Sequence, residues 1–428
     1  MLDLKFIRDN SDKVKKAIED RGKPFDLDGL LFLDEKRRRL LKEVEEIKRR
    51  KNIDSEEIAK LLREKKDAKP KIAEMRSFSE DEKRLEEELR VIEKDLETAL
   101  FNIPNVPHKS IPIGKDASAN KMVRGWGQER KFDFQPRTHI ELGEYLDILD
   151  FPRAAKITGS NFPLFKGDGA KMERALINFM LDLHTREHGY REIFPPFLVN
   201  RASMTGTGQL PKFEDDMYRL KDEDLFLVPT AEVPLTNLHS NEILNEGILP
   251  VYYTAYTACF RREAGSYGKE TKGLMRVHQF DKIELVKFVN PKDSYDELEK
   301  LVANAEEVLQ KLGLQYRVVM LSTGDLSFAA SKCYDFEAYA PGVNNWLEVS
   351  SCSNFEDFQA RRANIKFRPK DGGKAEYVHT LNGSGVALAR TVIAILENYQ
   401  NKDGSVTIPE ILRPYMDGRD RILPLKSV

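Results

Sequence analysis

Four short segments of this 428-residue chain collect polar side chains where a hydrophobic core would reject them. The first is Phe260-Arg261-Arg262-Glu263, followed by a Gly- and Lys-rich stretch and then Arg276-Val277-His278-Gln279-Phe280. It reads as strand, loop, strand, with Gly265, Gly268 and Gly273 giving the loop its freedom. Two positions apart on a strand, Arg261 and Glu263 are expected on one face. There they offer a phosphate clamp and a hydrogen-bond acceptor to one ligand, and Phe280 offers a flat surface to a purine. Taken alone, the segment equally fits a solvated hairpin with a chance salt bridge. The second is Glu348-Val349-Ser350-Ser351-Cys352-Ser353. Strict alternation places Glu348, Ser350 and Cys352 on one face and Val349, Ser351 and Ser353 on the other. A carboxylate beside hydroxyls is hard-oxygen chemistry suited to a nucleotide-borne Mg²⁺, and a polar edge strand is the bland alternative.

The third segment, Asn382-Gly383-Ser384-Gly385-Val386-Ala387-Leu388-Ala389-Arg390, is expected to open a helix with Arg390 one turn in. A helix N-terminus with an arginine attracts a polyphosphate, although an ordinary helix start with a solvated arginine fits as well. The fourth, Pro229-Thr230-Ala231-Glu232-Val233-Pro234, is a small polar turn in which Thr230 suits capping a helix begun at Ala231. Neither the G-x-x-x-x-G-K-[ST] loop nor a G-x-G-x-x-G fingerprint after a strand occurs. ATP, if bound, must therefore be held by scattered arginines. Cys259, Cys333 and Cys352 lack CxxC spacing, which argues against disulfides and zinc. Of the seven histidines, His184 and His188 come closest to metal spacing, without the carboxylate a metalloprotease helix needs.

The elements that must position these segments fall into two kinds. From about Asp28 to Leu100 charge is dense, and apolar residues recur at steps of three and four: Leu33, Leu40, Val44, Ile47, Ile58 and Leu61, then Leu85, Leu89, Ile92, Leu96 and Ala99. That is a coiled-coil seam. Ala68-Lys69-Pro70-Lys71 breaks it, so two antiparallel helices with a tip near residue 70 are expected. Such an arm is too thin to hide a core and must touch something. Pro104, Pro107, Pro112 and Gly114 mark 104–131 as a linker between an N-terminal domain (1–103) and a second domain (132–428). In the second domain, amphipathic helices are expected over 170–188 and, opened by a Ser294-x-x-Glu297 capping box, up to Gly313. Strand-like runs at 224–228, 251–261 and 275–289 come without βαβ alternation. An α+β fold with a largely antiparallel sheet flanked by helices follows.

Taken together, the motifs resemble the class II aminoacyl-tRNA synthetases, most closely the bacterial-type seryl-tRNA synthetases, over essentially the whole chain. His188-Gly189-Tyr190-Arg191-Glu192-Ile193-Phe194-Pro195-Pro196 resembles motif 1 of that class, which forms a homodimer interface. Phe260–Glu263 with the loop to Phe280 resembles motif 2, and Gly383–Arg390 resembles motif 3. Thr230–Glu232 and Glu348–Ser351 are similar to seryl-specific segments, and the coiled coil to that family's tRNA-binding arm. The resemblance implies ATP, L-serine and tRNA(Ser) as partners, with the selenocysteine tRNA a further candidate. It implies ATP binding by Arg261, Arg262, Glu263, Phe280, Glu348, Val349, Ser350, Ser351 and Arg390. Within that set Arg261 would hold the α-phosphate, Glu263 the adenine amino group and Arg390 the γ-phosphate, while Phe280 stacks on the ring. Glu348 and Ser351 would ligate Mg²⁺, and Thr230, Ala231, Glu232, Glu284, Asn382 and Ser384 would surround the serine. Arg261, Glu348 and Arg390 are the implied catalytic residues. One departure is Arg262, where the family pattern leads us to expect Ser; its side chain is expected to point away from its neighbours.

On the arm, Lys48, Arg49, Arg50, Lys51, Arg63, Lys65, Lys66 and Lys69 are candidates for contacts to the tRNA backbone, although a solvated coiled-coil face carries such charges too. The resemblance implies that the arm grips the long variable arm of tRNA(Ser) bound to the other subunit. A net charge of -2, from 69 basic and 71 acidic residues, does not oppose this, because nucleic acid responds to local patches. Charge from the third residue onward argues against a signal peptide, and no run approaches the roughly 18 apolar residues of a membrane span. A cytoplasmic protein is expected. Two rival readings are a synthetase-like enzyme that loads a carrier protein, which the intact arm disfavours, and a non-catalytic coiled-coil RNA-binding scaffold, which leaves Arg261, Glu263, Glu348 and Arg390 without a purpose.

Overall fold

The computed structural model describes residues 1–264 and 272–424 and divides into two compact units. The smaller holds residues 2–19 and 23–103, and nearly all of the larger is Pro104–Val428. Two long helices dominate the smaller unit: α1 (Leu27–Arg63) and α2 (Lys69–Asn102). The Asp26 carboxylate starts α1 by accepting from the Gly29 amide at 2.8 Å. The seam buries Leu40, Val44, Leu85 and Ile92, with Leu33, Ile47 and Leu89 packed against them. Ion pairs across the seam link Lys36 to Glu88, Lys51 to Glu82 and Lys71 to Asp54, partners that run in opposite directions along the chain. The helices are therefore antiparallel, and these pairs fix their register. The turn between them spans 64–68, with Lys65 at φ +57°. Pro70 lies inside the first turn of α2 rather than at the break, because its missing N–H has no intrahelical partner there.

The larger unit is built on one eight-stranded sheet. Its strands are β1 (Lys121–Trp126), β2 (Arg191–Glu192), β3 (Val251–Phe260), β4 (Gln279–Val289), β5 (Tyr316–Met320), β6 (Lys332–Ala340), β7 (Asn345–Asn354) and β8 (His379–Ala387). Their spatial order is β1-β5-β6-β7-β8-β4-β3-β2. Every neighbouring pair is antiparallel except β2 with β3. The fold is thus the expected α+β. Helices α3 (Gly167–Arg186), α4 (Ser294–Lys311) and α5 (Leu388–Asn398) pack their apolar faces, among them Leu176, Leu301 and Ile393, on one side of the sheet. On the opposite face a second apolar cluster covers Ala255, Val286 and Phe288, and polar side chains occupy the part beside it.

Three expectations about elements need correction. Residues 104–131 are no free linker, since they belong to the larger unit and supply edge strand β1, which pairs with β5. Proline punctuation ends at Pro112, and Met122, Val123 and Trp126 are strand formers. The Ser294–Glu297 capping box does not form: Ser294 Oγ faces His379 Nδ1 at 2.9 Å, while Glu297 pairs with Lys287 and Lys300. Gly383 and Gly385 open no helix; they sit in β8, and α5 begins only at Leu388. They are glycines because there is no room for a side chain. A Cβ at Gly383 would lie 2.7 Å from Cys352 Sγ, and one at Gly385 would lie 2.8 Å from His184 Nε2.

Candidate active site

The polar face of the sheet carries an open cavity of about 670 Å³, the solvent at its mouth included. It is lined by Arg261, Glu263, Phe280, Glu348, Val349, Ser350, Ser351, Ser384 and Arg390 from the expected set, together with Arg276 and Lys282. Residues from motifs more than a hundred positions apart meet here because β7, β8 and β4 are adjacent. Phe280, Lys282 and Glu284 occupy alternate positions of β4 and therefore share the cavity face. The Arg261 guanidinium lies 5.1 Å from the Phe280 ring centroid, and its Nε donates to the Pro229 carbonyl. At that distance the cation and the ring are in direct contact, so each presents its outer surface to a ligand.

Arg261 and Glu263 come together for a reason other than strand alternation. Strand β3 stops at Phe260, and the chain turns at Glu263, whose φ is +52°. Glu263 then pairs with Arg276 at 3.2 Å. Arg262, between them, does not line the cavity; its amide donates to the Asp216 carbonyl. Gly273 has φ +65°, as a tight loop requires, while Gly265 and Gly268 lie outside the described residues.

Strict alternation fails on β7 as well. Its register with β6 runs Glu348↔Glu337 and then Ser350↔Phe336, leaving Val349 as an extra residue. This bulge carries Ser350 and Cys352 to the apolar side and brings Ser351 to the same face as Glu348. Ser350 Oγ donates to the Ser384 carbonyl at 2.7 Å, tying β7 to β8, and Val349 is buried in the core. Arg390 Nη1 donates to the Glu348 carbonyl at 2.9 Å and approaches its carboxylate at 3.5 Å. Asp335 lies behind Ser351 across the β6–β7 register; burial and the charge of Glu348 hold its carboxyl well above the ordinary range.

Deeper in, a buried polar cluster continues the cavity. Glu284 is fully buried and accepts from Thr230 Oγ1 at 2.5 Å and from Asn382 Nδ2 at 3.4 Å. The Lys282 ammonium sits 2.6 Å from Glu284 and donates to Thr230 Oγ1 at 3.0 Å. Glu232, also buried, accepts from Gln359 Nε2 at 2.6 Å. Desolvation and the nearby Glu284 push its carboxyl up to about 7. The Ala231 side chain, by contrast, is packed in a hydrophobic cluster with Val286 and Leu235, so only its backbone is available to a ligand. Sequence reasoning missed Lys282, Gln359, Arg276 and Asp335. Lys282 had a readable signal, since it falls midway between Phe280 and Glu284 in a period of two.

The arm cations divide into two groups. Arg49 and Arg50 both pair with Glu46, Lys48 with Glu86, Lys51 with Glu82 and Lys66 with Glu64. Among the described residues no ion pair engages Arg63, Lys65 or Lys69, all exposed around the tip.

An antiparallel sheet presenting arginines, a carboxylate–hydroxyl pair and a ring surface on one face is a class II aminoacyl-tRNA synthetase core. The family described as tRNA synthetase class II core domain (G, H, P, S and T) matches residues 212–399, and Seryl-tRNA synthetase N-terminal domain matches residues 1–107. The serine–tRNA ligase of Thermoanaerobacter pseudethanolicus is 60% identical over 416 residues, covering 97% of this chain and 98% of its own. That of Carboxydothermus hydrogenoformans is 58% identical over 422 residues, 99% of each chain. The crystal structure of seryl-tRNA synthetase from Pyrococcus horikoshii complexed with ATP superposes with a TM-score of 0.94 at 39% identity, covering 100% of both chains. The chain belongs to the seryl-tRNA synthetase family. Among the described residues no helix is long and apolar enough to cross a membrane.

Proposed function

We propose that this chain is a serine–tRNA ligase of the cytoplasm, working as a homodimer. It activates L-serine with ATP, releasing pyrophosphate, and transfers the seryl group from the adenylate to the 3′ end of tRNA(Ser). The observation that carries the reading is the line of Phe280, Lys282 and Glu284 along one face of β4, with Arg261 beside Phe280. Two-residue steps of about 6.5 Å put an adenine site and an amino-acid site within one adenylate's length of each other.

In this reading Phe280 stacks on the adenine, Glu263 accepts from its amino group, and Arg261 holds the α-phosphate. Arg390 binds the γ-phosphate of a bent ATP. Thr230, Glu232, Glu284, Asn382 and Ser384 surround the serine, with Glu284 facing its ammonium and Glu232 its hydroxyl. Glu348 and Ser351 are two hard-oxygen donors on one face, a set suited to Mg²⁺, which when bound would neutralise phosphate oxygens. The serine carboxylate attacks the α-phosphorus in line while Arg261 and Arg390 stabilise charge on the phosphates. No side chain need act as nucleophile, since positioning and fixed charge suffice. Glycine and alanine leave the buried Glu232 without the hydroxyl it pairs with and are rejected for that reason; threonine is excluded by size. Arg63, Lys65 and Lys69 contact the tRNA backbone first, being outside any ion pair among the described residues, and the paired cations of the shaft contribute less.

Amino-acid-dependent ATP–pyrophosphate exchange across all twenty amino acids, without tRNA, tests the reading. Exchange with serine alone is expected. Exchange with a different amino acid overturns the pocket, and exchange with none, with or without tRNA, overturns the activity.

A further inference from the structure

A lysine is an unexpected occupant of the innermost polar cluster. Lys282 is buried, with its side chain 8% exposed, and its ammonium is held between Glu284 at 2.6 Å and Thr230 at 3.0 Å. It also lies close enough to Glu232 to favour that carboxylate's ionised form. Its neighbours across the register, Thr257 on β3 and Ala387 on β8, bring no further charge. In the free protein this cation solves an electrostatic problem: without it, Glu284 would be a buried carboxylate with no counter-charge, a state that is strongly destabilising.

We propose that Lys282 stands in for the substrate's own ammonium group and exchanges partners when serine binds. The serine ammonium takes over Glu284, and the released Lys282 Nζ turns to the serine carboxylate. An incoming zwitterion brings one charge of each sign, so the exchange leaves Glu284 and Lys282 each paired before and after. Position supports the second half of the exchange. Lys282 lies between Phe280, at the adenine end, and Glu284, at the ammonium end, which is where the carboxylate must meet the α-phosphorus. Its four-carbon stem lets the ammonium swing between two oxygens without backbone movement. In the step that follows, a serine carboxylate oxygen bonds to the α-phosphorus and the bond to the pyrophosphate oxygen breaks, with no proton transferred. Lys282 thereby becomes a specificity residue for the free carboxylate, distinct from the groups that read the side chain.

The inference rests on the serine-activating reading, and the test separates the two. Equilibrium binding of L-serine and L-serinamide, which keeps the amine and hydroxyl but lacks the anionic carboxylate, is measured with the full chain and with Lys282→Met and Lys282→Arg. The unsubstituted protein is expected to prefer serine by at least about 30-fold, the size expected for one partner of a buried charge pair. Lys282→Met should bring that preference within about threefold, and Lys282→Arg should keep most of it. A Met variant that weakens both ligands equally, with the preference intact, overturns the proposal. A preference near one in the unsubstituted protein overturns it without any variant. Failure of the unsubstituted protein to bind serine, while another amino acid binds, overturns the underlying reading instead.

Discussion

At the scale of single residues, Glu232 makes the site sensitive to pH. Burial and Glu284 hold its carboxyl near 7, so at lower pH the free protein carries a proton there. The serine hydroxyl donating to Glu232, with the ammonium close by, favours the ionised form. Binding below about pH 7 must therefore expel that proton, and serine affinity should fall toward tenfold per pH unit on the acid side and level off above. Titration calorimetry in buffers of different ionisation enthalpy should detect the released proton, and Glu232→Gln should flatten the profile. A pH-independent affinity from about 5.5 to 8 in the unsubstituted protein would contradict this assignment. Most of this cluster was legible in the sequence only as types: Thr230, Glu232 and Glu284 are polar residues in apolar surroundings. Gln359 was not legible, because it reaches Glu232 from a short helix (Phe358–Ala363) more than a hundred residues away. Arg262 was expected to point away from its neighbours by strand alternation, but β3 already ends at Phe260 and alternation does not reach it.

At the scale of elements, the periodic parts were readable and the irregular parts were not. The seam of α1 and α2 follows its three- and four-residue spacing closely, as do α3 and α4. What periodicity cannot encode is an extra residue in a strand, so the polar face of β7 was misassigned, and β8 was read as the start of a helix. On β8 the extra residue is Gly385, which falls between the pairs Ser384↔Glu284 and Val386↔Ile283. Gly385→Ala would drive a methyl group to 2.8 Å from His184 Nε2 and 3.0 Å from Ile283 Cγ2. Both neighbours are fully buried, so a loss of about 1–3 kcal/mol is expected in denaturant unfolding. On the arm, the split between paired and unpaired cations predicts a split in effect. Replacing Arg63, Lys65 and Lys69 together by Ala should raise the KM for tRNA and lower its salt slope by about 0.7–0.9 for each phosphate that is no longer neutralised. Replacing Arg49 and Arg50, both already bonded to Glu46, should change the slope less. Equal slopes for the two sets would show that the tip is not where the nucleic acid is held.

At the scale of the whole molecule, the two units imply a division of labour that kinetics can separate. Replacing residues 43–85 by a short turn leaves the Asp34 ion pairs with Arg8 and Arg38 in place and removes the outer arm. Serine-dependent pyrophosphate exchange should then persist within about threefold, because no cavity residue is touched, while charging of tRNA(Ser) should be lost. Parallel loss of both activities would mean that the arm also shapes the catalytic unit.

The bulge at Val349 works on its strand as a frameshift works on a message. Upstream and downstream of it, odd and even positions have opposite meanings. Deleting Val349 would act as the compensating deletion: the strand would return to strict alternation, and Ser350, Ser351 and Cys352 would keep their partners Phe336, Asp335 and Tyr334 and hence their faces. The faces of Ser351 and Cys352 are thus set by pairing with β6 and not by counting from Glu348.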